Sequence, residues 1–188
     1  MPRIKTERDD ILRPDEVKGL IAKTSNPMLK CLIAILFAFG CRISEALELR
    51  RKDVRVEGDY LAIRFPLKKR RMRRGIKPTI ERRLDLNHYL APIILDWVSQ
   101  IENPDSYIFP SRHRGKHLSR VRAWELLKQL DERIWPHLFR HSLATLMAEA
   151  GASAIEMVAW FGWASMDTAL KYIRMTEAMR TRWSRREF

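Results

Sequence analysis

The chain has 188 residues, 46% of them apolar, which is enough for one domain with a hydrophobic core and excludes a disordered chain. Its 36 basic and 23 acidic residues give a formal net charge of +13, and this charge favours a polyanionic partner such as nucleic acid. The longest apolar run, Cys31 to Phe39, is too short to span a membrane, and the charged first ten residues do not have the pattern of a signal peptide.

The cysteines bear on the compartment and on metal binding. Cys31 and Cys41 are the two cysteines of the chain, too few for a disulfide framework or a zinc-binding pattern. They fit a reducing compartment, although a disulfide between them stays open. The sequence also has no glycine-rich phosphate loop and no clustered carboxylates. We therefore expect a cytoplasmic protein with no cofactor and no metal ion.

Helical patterns come first along the chain. Residues 1–11 are polar and are expected to form a flexible N-terminal segment. A first helix is predicted from Pro14 to about Lys23, because proline and acidic residues favour the first turn. A second follows Pro27 and ends at Gly40, and a third spans Ile43 to Arg50 with apolar residues at helical spacing.

Strand patterns follow. Tyr60 to Phe65 alternates apolar and other residues, after a turn at Gly58–Asp59. A weaker strand is predicted over Thr79 to Leu86. Between the two strands lies the run Lys68 to Gly75, which is almost entirely basic. It is typical of an exposed hairpin tip.

The rest of the chain has helical periodicity. Gly151 and Gly162 fall where helix C-caps are expected. The predicted helices are His88–Ile101, Ser119–Arg133, His137–Ala150, Ser153–Trp160, Ser165–Ile173 and Met175–Phe188. The predicted fold is therefore mainly α with a small antiparallel β-sheet (α+β), in one domain over residues 12–174 followed by a tail, 175–188.

Three blocks carry candidate chemistry. His137 and Arg140 are three residues apart and share one face of a helix, so that a proton-transfer group and a phosphate-binding fork can reach one ligand. Arg42 follows a glycine and opens a helix, where backbone amides already favour an anion. Tyr172 lies nine residues beyond Trp163. Each block alone is a weak signal.

Together these blocks resemble the tyrosine recombinase, or phage integrase, family. The family's G-x-R-x-S-E-x-x-x-L pattern is matched around Arg42, and its H-x-x-R-H pattern is matched by His137, Arg140 and His141. The order and spacing of the blocks extend over about 130 residues of the chain. The resemblance therefore implies a tyrosine recombinase catalytic-domain fold.

The last block of the family is L-G-H-x-S, with the nucleophilic tyrosine nine residues after its histidine. Gly162 and Ser165 match this block, and Tyr172 has the right spacing. Trp163 replaces the usual histidine. The indole can donate one hydrogen bond to a phosphate oxygen, but it cannot transfer a proton.

The resemblance implies that Tyr172 attacks a DNA phosphate, forms a 3′-phosphotyrosine and frees a 5′ hydroxyl. The stored bond energy then allows rejoining without ATP or metal. Arg42 and Arg140 are expected to stabilise the negative charge that grows on the non-bridging oxygens. His137 would act as general base or as a phosphate donor, and Trp163 would bind a phosphate oxygen.

Four further residues complete the predicted site, two as candidates for the catalytic lysine and two in supporting roles. The family's catalytic lysine lies in the hairpin turn, and its motif is not clean in this sequence. Lys68 is the first candidate by spacing, as the proton donor to the leaving oxygen, and Lys69 is the second. Glu45, three residues after Arg42, is expected to fix that arginine or to be a plain surface carboxylate. His141 is expected to support the site rather than to react.

Two basic sets are predicted to contact double-stranded DNA, mostly through phosphates and without sequence preference. The hairpin set is Lys69, Arg70, Arg71, Arg73 and Arg74, and the second set is Arg112, Arg114, Lys116, Arg120 and Arg122. The resemblance further implies a homo-tetramer on paired DNA sites, with a monomer in the absence of DNA and no membrane association. The tail would dock on a neighbouring protomer, with packing on its own domain as the alternative.

The family also implies an N-terminal DNA-clamping domain that this chain lacks, so that a trimmed chain and a minimal member both stay open. A prokaryotic cytoplasm, with nucleoid association during activity, is the expected location. Two alternative functions remain: a type IB topoisomerase with the same chemistry, and a non-catalytic DNA-binding relative. The R-I-S-E and H-x-x-R-H motifs favour recombination. An RNA-binding role has no motif to support it.

Overall fold

The computed structural model describes residues 11–67, 78–113, 115–135 and 137–173. These residues form eight α-helices, a three-residue 3-10 turn and three strands. In chain order they are α1 (Pro14–Ala22), α2 (Pro27–Phe39), α3 (Ile43–Leu47), the 3-10 turn (Arg51–Asp53), β1 (Val54–Glu57), β2 (Tyr60–Pro66), β3 (Thr79–Asp85), α4 (Ala91–Val98), α5 (Arg120–Lys128), α6 (Leu138–Glu149), α7 (Ala154–Phe161) and α8 (Met166–Leu170). The predicted fold class, mainly helical with a small antiparallel sheet, is confirmed.

Helix α2 is the centre of the main core. It begins where Oδ1 of Asn26 accepts a hydrogen bond from the backbone of Leu29 (3.3 Å), and it ends at Gly40, whose φ of 54° is left-handed. Every residue from Cys31 to Phe39 is buried, as the apolar run predicted. Helices α1, α3, α4 and α6 pack around it. Burial of each large side chain stabilises the fold by roughly 1.5–3 kcal/mol.

The strands form one antiparallel sheet in the order β1-β2-β3. Val54 pairs with Ile63, and Ile63 pairs in turn with Arg82 on β3. The inward side chains of β2, Leu61, Ile63 and Phe65, are fully buried. The sheet thus places one face of β3, including Arg82, against the helical core.

The region after α3 differs from the prediction. The third helix ends at Leu47 rather than Arg50, and strand β1 was not predicted. Oδ2 of Asp53 accepts the backbone N–H of Arg50 at 2.9 Å, which starts the 3-10 turn and leads the chain into β1. Strand β1 has only four residues, and its two valines alternate with Arg55 and Glu57, which is too short a run for periodicity to identify a strand.

A second, smaller hydrophobic cluster joins α6, α7 and α8. Ser153 caps α7, since its Oγ accepts the backbone N–H of Glu156 at 3.2 Å. Gly162 ends α7 with a φ of 64°, as the predicted C-cap required. This left-handed turn sends the chain back, so that Trp163 packs under α7 rather than continuing it.

Other helices are shorter than predicted. Helix α4 begins at Ala91 instead of His88, and α5 ends at Lys128 instead of Arg133. The predicted helix over 175–188 and the predicted hairpin tip lie outside the described residues. Within the part of the chain that the structure describes, no helix is long and apolar enough to cross a membrane.

Candidate active site

Arg42 is fixed at the start of α3 by Glu45. One carboxylate oxygen of Glu45 accepts the backbone N–H of Arg42 at 2.9 Å, and the other contacts its Nη1 at 2.6 Å. The Glu45 side chain is fully buried, while 17% of the Arg42 side chain remains exposed. The carboxylate therefore fixes the arginine in a position where part of its side chain remains accessible.

Arg140 extends from α6 into the space beside Arg42. Its Nη1 donates to the carbonyl of Gly40 at 2.8 Å, and its Nη2 donates to the carbonyl of Phe161 at 3.1 Å. Gly40 is two residues before Arg42, so this contact brings the two arginines to one place. Burial, with the positive charges of Arg42 and Arg82, lowers the pKa of Arg140 to about 10, which leaves it charged at neutral pH.

Tyr172 stacks on Trp163. The two rings are nearly parallel, with centroids 5.5 Å apart and an interplanar angle of 7°. The other neighbours of Trp163 are Phe161, 4.6 Å away between ring centroids, and Arg140, whose Cζ lies 5.5 Å from the indole. Trp163 therefore links the tyrosine to Arg140 through direct packing.

The hydroxyl of Tyr172 has a histidine neighbour. It lies 3.5 Å from Nδ1 of His141, and the two rings are 5.4 Å apart between centroids. His137 is at the N-cap position of α6, one turn before His141, and is exposed. Burial raises the pKa of Tyr172, and the nearby charge of Arg140 opposes that rise in part. The tyrosine hydroxyl is therefore protonated at neutral pH.

The sequence analysis missed one residue of this region, Arg82. Its side chain is 2% exposed, and its Nε donates to the carbonyl of Trp160. Burial lowers the pKa of Arg82, an effect that the negative charge of Glu45 opposes. The signal that could have found it is the alternation of Ile80, Arg82 and Leu84, which puts the arginine on the apolar face of β3.

The family comparison agrees with this arrangement. The sequence model described as Phage integrase family matches residues 10–179. The chain belongs to the phage integrase family. The matched range of this phage integrase chain includes the two arginines, the two histidines and the tyrosine that the motifs indicated.

Curated relatives of this phage integrase chain are tyrosine recombinases. Tyrosine recombinase XerA of Pyrococcus horikoshii is 26% identical over 181 residues, which cover 93% of this chain and 60% of the relative. Tyrosine recombinase XerD of Bifidobacterium longum is 28% identical over 199 residues, with 93% and 61% covered. The chain thus spans about three fifths of the length of these curated relatives.

Solved structures share the fold. A crystal structure of XerA recombinase superposes with a TM-score of 0.69 at 19% identity and covers 95% of this chain and 64% of that one. The catalytic domain of bacteriophage HP1 integrase gives a TM-score of 0.63 at 16% identity, with 91% and 90% covered. The fold of this phage integrase domain is therefore that of tyrosine recombinase catalytic domains.

The remaining candidate residues are distributed as follows. The two candidate lysines and the basic hairpin residues lie outside the described residues, and so does Arg114. The described members of the second basic set are all exposed, at Arg112, Lys116, Arg120 and Arg122. Arg122 forms a 3.0 Å ion pair with Glu125 on α5. Over the described ranges, no group of three or more His, Cys, Asp or Glu side chains is placed to hold a metal ion.

Proposed function

We propose that this domain is the catalytic part of a site-specific recombinase or integrase that cuts and rejoins DNA through a bond to Tyr172. The observation that carries the proposal is the packing of Tyr172 on Trp163, beside Arg140 and close to Arg42. A nucleophile and two cations that can hold a phosphate thus lie together. Residues 12–174 would form the catalytic domain, with 175–188 as a tail.

The two arginines suit a phosphoryl transfer. As the tyrosine oxygen attacks, negative charge grows on the non-bridging oxygens of the phosphate, and cations already in place stabilise it without reorganisation. Arg42 is held by Glu45, and Arg140 is held by two backbone carbonyls, so both are positioned before DNA binds. Loss of one such donor typically slows the reaction by about a hundred- to a thousandfold.

Proton transfer needs a base and an acid. His141 is in contact with the Tyr172 hydroxyl, which supports a role in orienting that hydroxyl or accepting its proton. His137 remains our proposed general base or phosphate donor, at the exposed start of α6. Lys68, or alternatively Lys69, would protonate the leaving 5′ oxygen from the segment between β2 and β3.

The DNA partner is supported by charge and by related proteins. Structures exist of XerH site-specific recombinase bound to its difH substrate and of the Tn1549 transposon integrase with circular intermediate DNA. In this chain, the basic hairpin and the second basic set would contact the DNA backbone. We propose a cytoplasmic protein that forms a tetramer on paired sites, with the tail docked on a neighbouring protomer.

Trapping of the covalent intermediate tests this proposal. The DNA site would first be found by selecting duplexes that the protein binds from a random-sequence pool. A nick placed close to the cleavage point would then let the cleaved fragment diffuse away, so that the strand cannot be rejoined. We expect a denaturant-resistant protein–DNA complex for the unchanged chain and for Tyr60→Phe, since Tyr60 is exposed at the sheet and outside the site. Tyr172→Phe should form none. Equal trapping by Tyr172→Phe would contradict the assignment.

A topoisomerase would use the same chemistry with different products. It would relax a supercoiled plasmid that lacks the selected site, whereas a recombinase would exchange strands between two copies of the site. Recombination with no relaxation of the site-free plasmid is the expected result.

A further inference from the structure

Two neighbouring carbonyls at the end of α7 hold two arginines from different parts of the chain. The carbonyl of Trp160 accepts from Nε of Arg82, and the carbonyl of Phe161 accepts from Nη2 of Arg140. Both guanidinium groups are therefore held at the end of α7, close enough for the charge of Arg82 to lower the pKa of Arg140. The last carbonyls of a helix carry partial negative charge, so this helix end favours cations.

The contacts of Arg82 do not account for the presence of a buried arginine at this position. Its Cζ lies 4.9 Å from the ring of Phe65, and its Nε has the contact with Trp160. Its Nη1 and Nη2 are buried, and neither has a hydrogen-bond partner among the described residues. Buried donors without partners destabilise a fold. An apolar side chain at this inward position of β3 would therefore give a more stable fold than the arginine does.

The charges at this place do not balance. Arg42, Arg82 and Arg140 contribute three positive charges, and Glu45 contributes one negative charge, so the four groups carry a net charge of +2. The groups act on one another electrostatically: Arg42 and Arg82 both lower the pKa of Arg140, and Arg42 lowers the pKa of Arg82. Arg82 thus raises the net charge of this cluster from +1 to +2.

A second positive charge matters for transfer chemistry. A DNA phosphodiester carries one negative charge, and the five-coordinate phosphorus that forms during attack approaches two. A group that stabilises the second charge more than the first lowers the barrier rather than merely tightening binding. Within this cluster, Arg82 therefore supplies the charge that exceeds the single charge of the ground state, in addition to the separate roles proposed for His137 and Lys68.

We propose that Arg82 is a positioning residue: its buried guanidinium, with two donors that have no partner among the described residues, sets the phosphate site at Arg42 and Arg140 to prefer a doubly charged anion over a singly charged one. The inference rests on the proposed function, because it assumes that the pocket receives a phosphate. Arg82 acts through Arg140 and the local field, and its burial keeps it from direct contact with DNA.

The test uses small anions, so that it does not depend on knowledge of the DNA site. Tungstate is a tetrahedral dianion, and dimethyl phosphate is a monoanion that resembles the unreacted diester. Each anion is titrated into the full chain, and the NMR signal of the Trp163 indole N–H is followed. This signal gives the dissociation constant of each anion, down to weak binding in the millimolar range. Arg82→Met keeps an unbranched, apolar side chain at this position and removes the guanidinium with its charge.

The matched control is Arg83→Met. Arg83 is the next residue on β3, its side chain is 55% exposed, and it contacts Glu57 and Glu81 on the outer face of the sheet. The control therefore loses the same charge from the protein without touching the pocket. We expect Arg82→Met to weaken tungstate binding by about tenfold or more and dimethyl phosphate binding by less. Arg83→Met should leave both constants close to their original values.

Stability supplies an independent readout. Removal of a buried unpartnered charge should raise the Tm of the anion-free protein by roughly 2–4 °C. The proposal would be overturned if Arg82→Met weakened the binding of tungstate and of dimethyl phosphate equally, or weakened neither. It would also be overturned if the unchanged chain bound the two anions equally well. If Arg82→Met does not fold, Arg82→Gln replaces it, because glutamine keeps a donor for the Trp160 carbonyl and lacks the charge. A failed DNA-trapping experiment with an intact anion preference would overturn the proposed function alone.

Discussion

The hydroxyl oxygen of Tyr172 lies 3.5 Å from Nδ1 of His141. A contact of this length is at the outer limit of a hydrogen bond and can tighten when a substrate binds. It joins Tyr172, two residues beyond α8, to the helix that also carries Arg140. The proposed nucleophile and one of the two proposed phosphate-binding arginines are thereby positioned by the same element, α6.

Replacement of His141 tests this contact. We expect His141→Ala to slow cleavage of the trapped-intermediate substrate by about a hundred- to ten-thousandfold, because a positioned base contributes about that much. A higher pH should restore part of the rate, since the tyrosine then ionises without help. Single-turnover cleavage between pH 7 and pH 10 measures both effects. A variant with an unchanged rate at pH 7 would exclude His141 from the chemistry.

Burial of Tyr172 also predicts a dependence of stability on pH. Its pKa in the folded protein is raised above the ordinary value of 10.0. The stability linked to this group is therefore complete below about pH 10 and is lost as pH rises above that value, because the unfolded chain releases the proton first. Between pH 9 and pH 11, the Tm of Tyr172→Phe should fall less than the Tm of the unchanged chain. Parallel curves for the two proteins would contradict the shift.

Glu45 and Arg42 form a buried pair that has an exposed counterpart. Glu45→Gln should destabilise the domain by about 3–5 kcal/mol, because the fully buried partner of the arginine loses its charge. The control is Glu125→Gln, which breaks the exposed pair with Arg122 at the same three-residue spacing and should cost about 0–1 kcal/mol. Urea unfolding measures both values. Equal losses of unfolding free energy in the two variants would contradict a larger contribution from the buried pair.

Trp163 combines a packing role with a hydrogen-bond donor, and two variants separate them. Trp163→Ala should destabilise the domain by about 3–5 kcal/mol, since the ring fills the space between Phe161 and Tyr172. Trp163→Phe keeps an aromatic ring and should retain most of that stability, while it loses the indole N–H. Slower cleavage by the phenylalanine variant, at nearly unchanged Tm, is the expected result if the indole binds a phosphate oxygen.

Gly40 is required by both its backbone and its surroundings. Its φ is 54°, and a Cβ added there would lie 2.5 Å from Cε1 of Phe161. Gly58 has nearly the same φ, 55°, with nothing within 4 Å of an added Cβ. Gly58→Ala should therefore show only the backbone penalty of about 1–2 kcal/mol. Gly40→Ala should exceed it in urea unfolding and should also slow cleavage, because the Gly40 carbonyl holds Arg140.

The sequence by itself determined most of the elements and the spacing of residues within them, although strand β1 and several helix ends were not predicted. The apolar run from Cys31 to Phe39 required a buried helix, and glycines at positions 40 and 162 marked the ends of α2 and α7. The spacing of His137, Arg140 and His141 put all three on one helix. These features depend on contacts between residues that are close in the chain, which periodicity reports directly.

Only the tertiary structure decided which side chains meet. Arg140 is 100 residues from the Gly40 carbonyl that it contacts, and His141 contacts the hydroxyl of Tyr172, 31 residues away. The buried charge of Arg82 depends on the register of β3 against β2 and on the end of α7. Local patterns specify the face of an element but not its partner, because the partner is chosen by packing across the whole core.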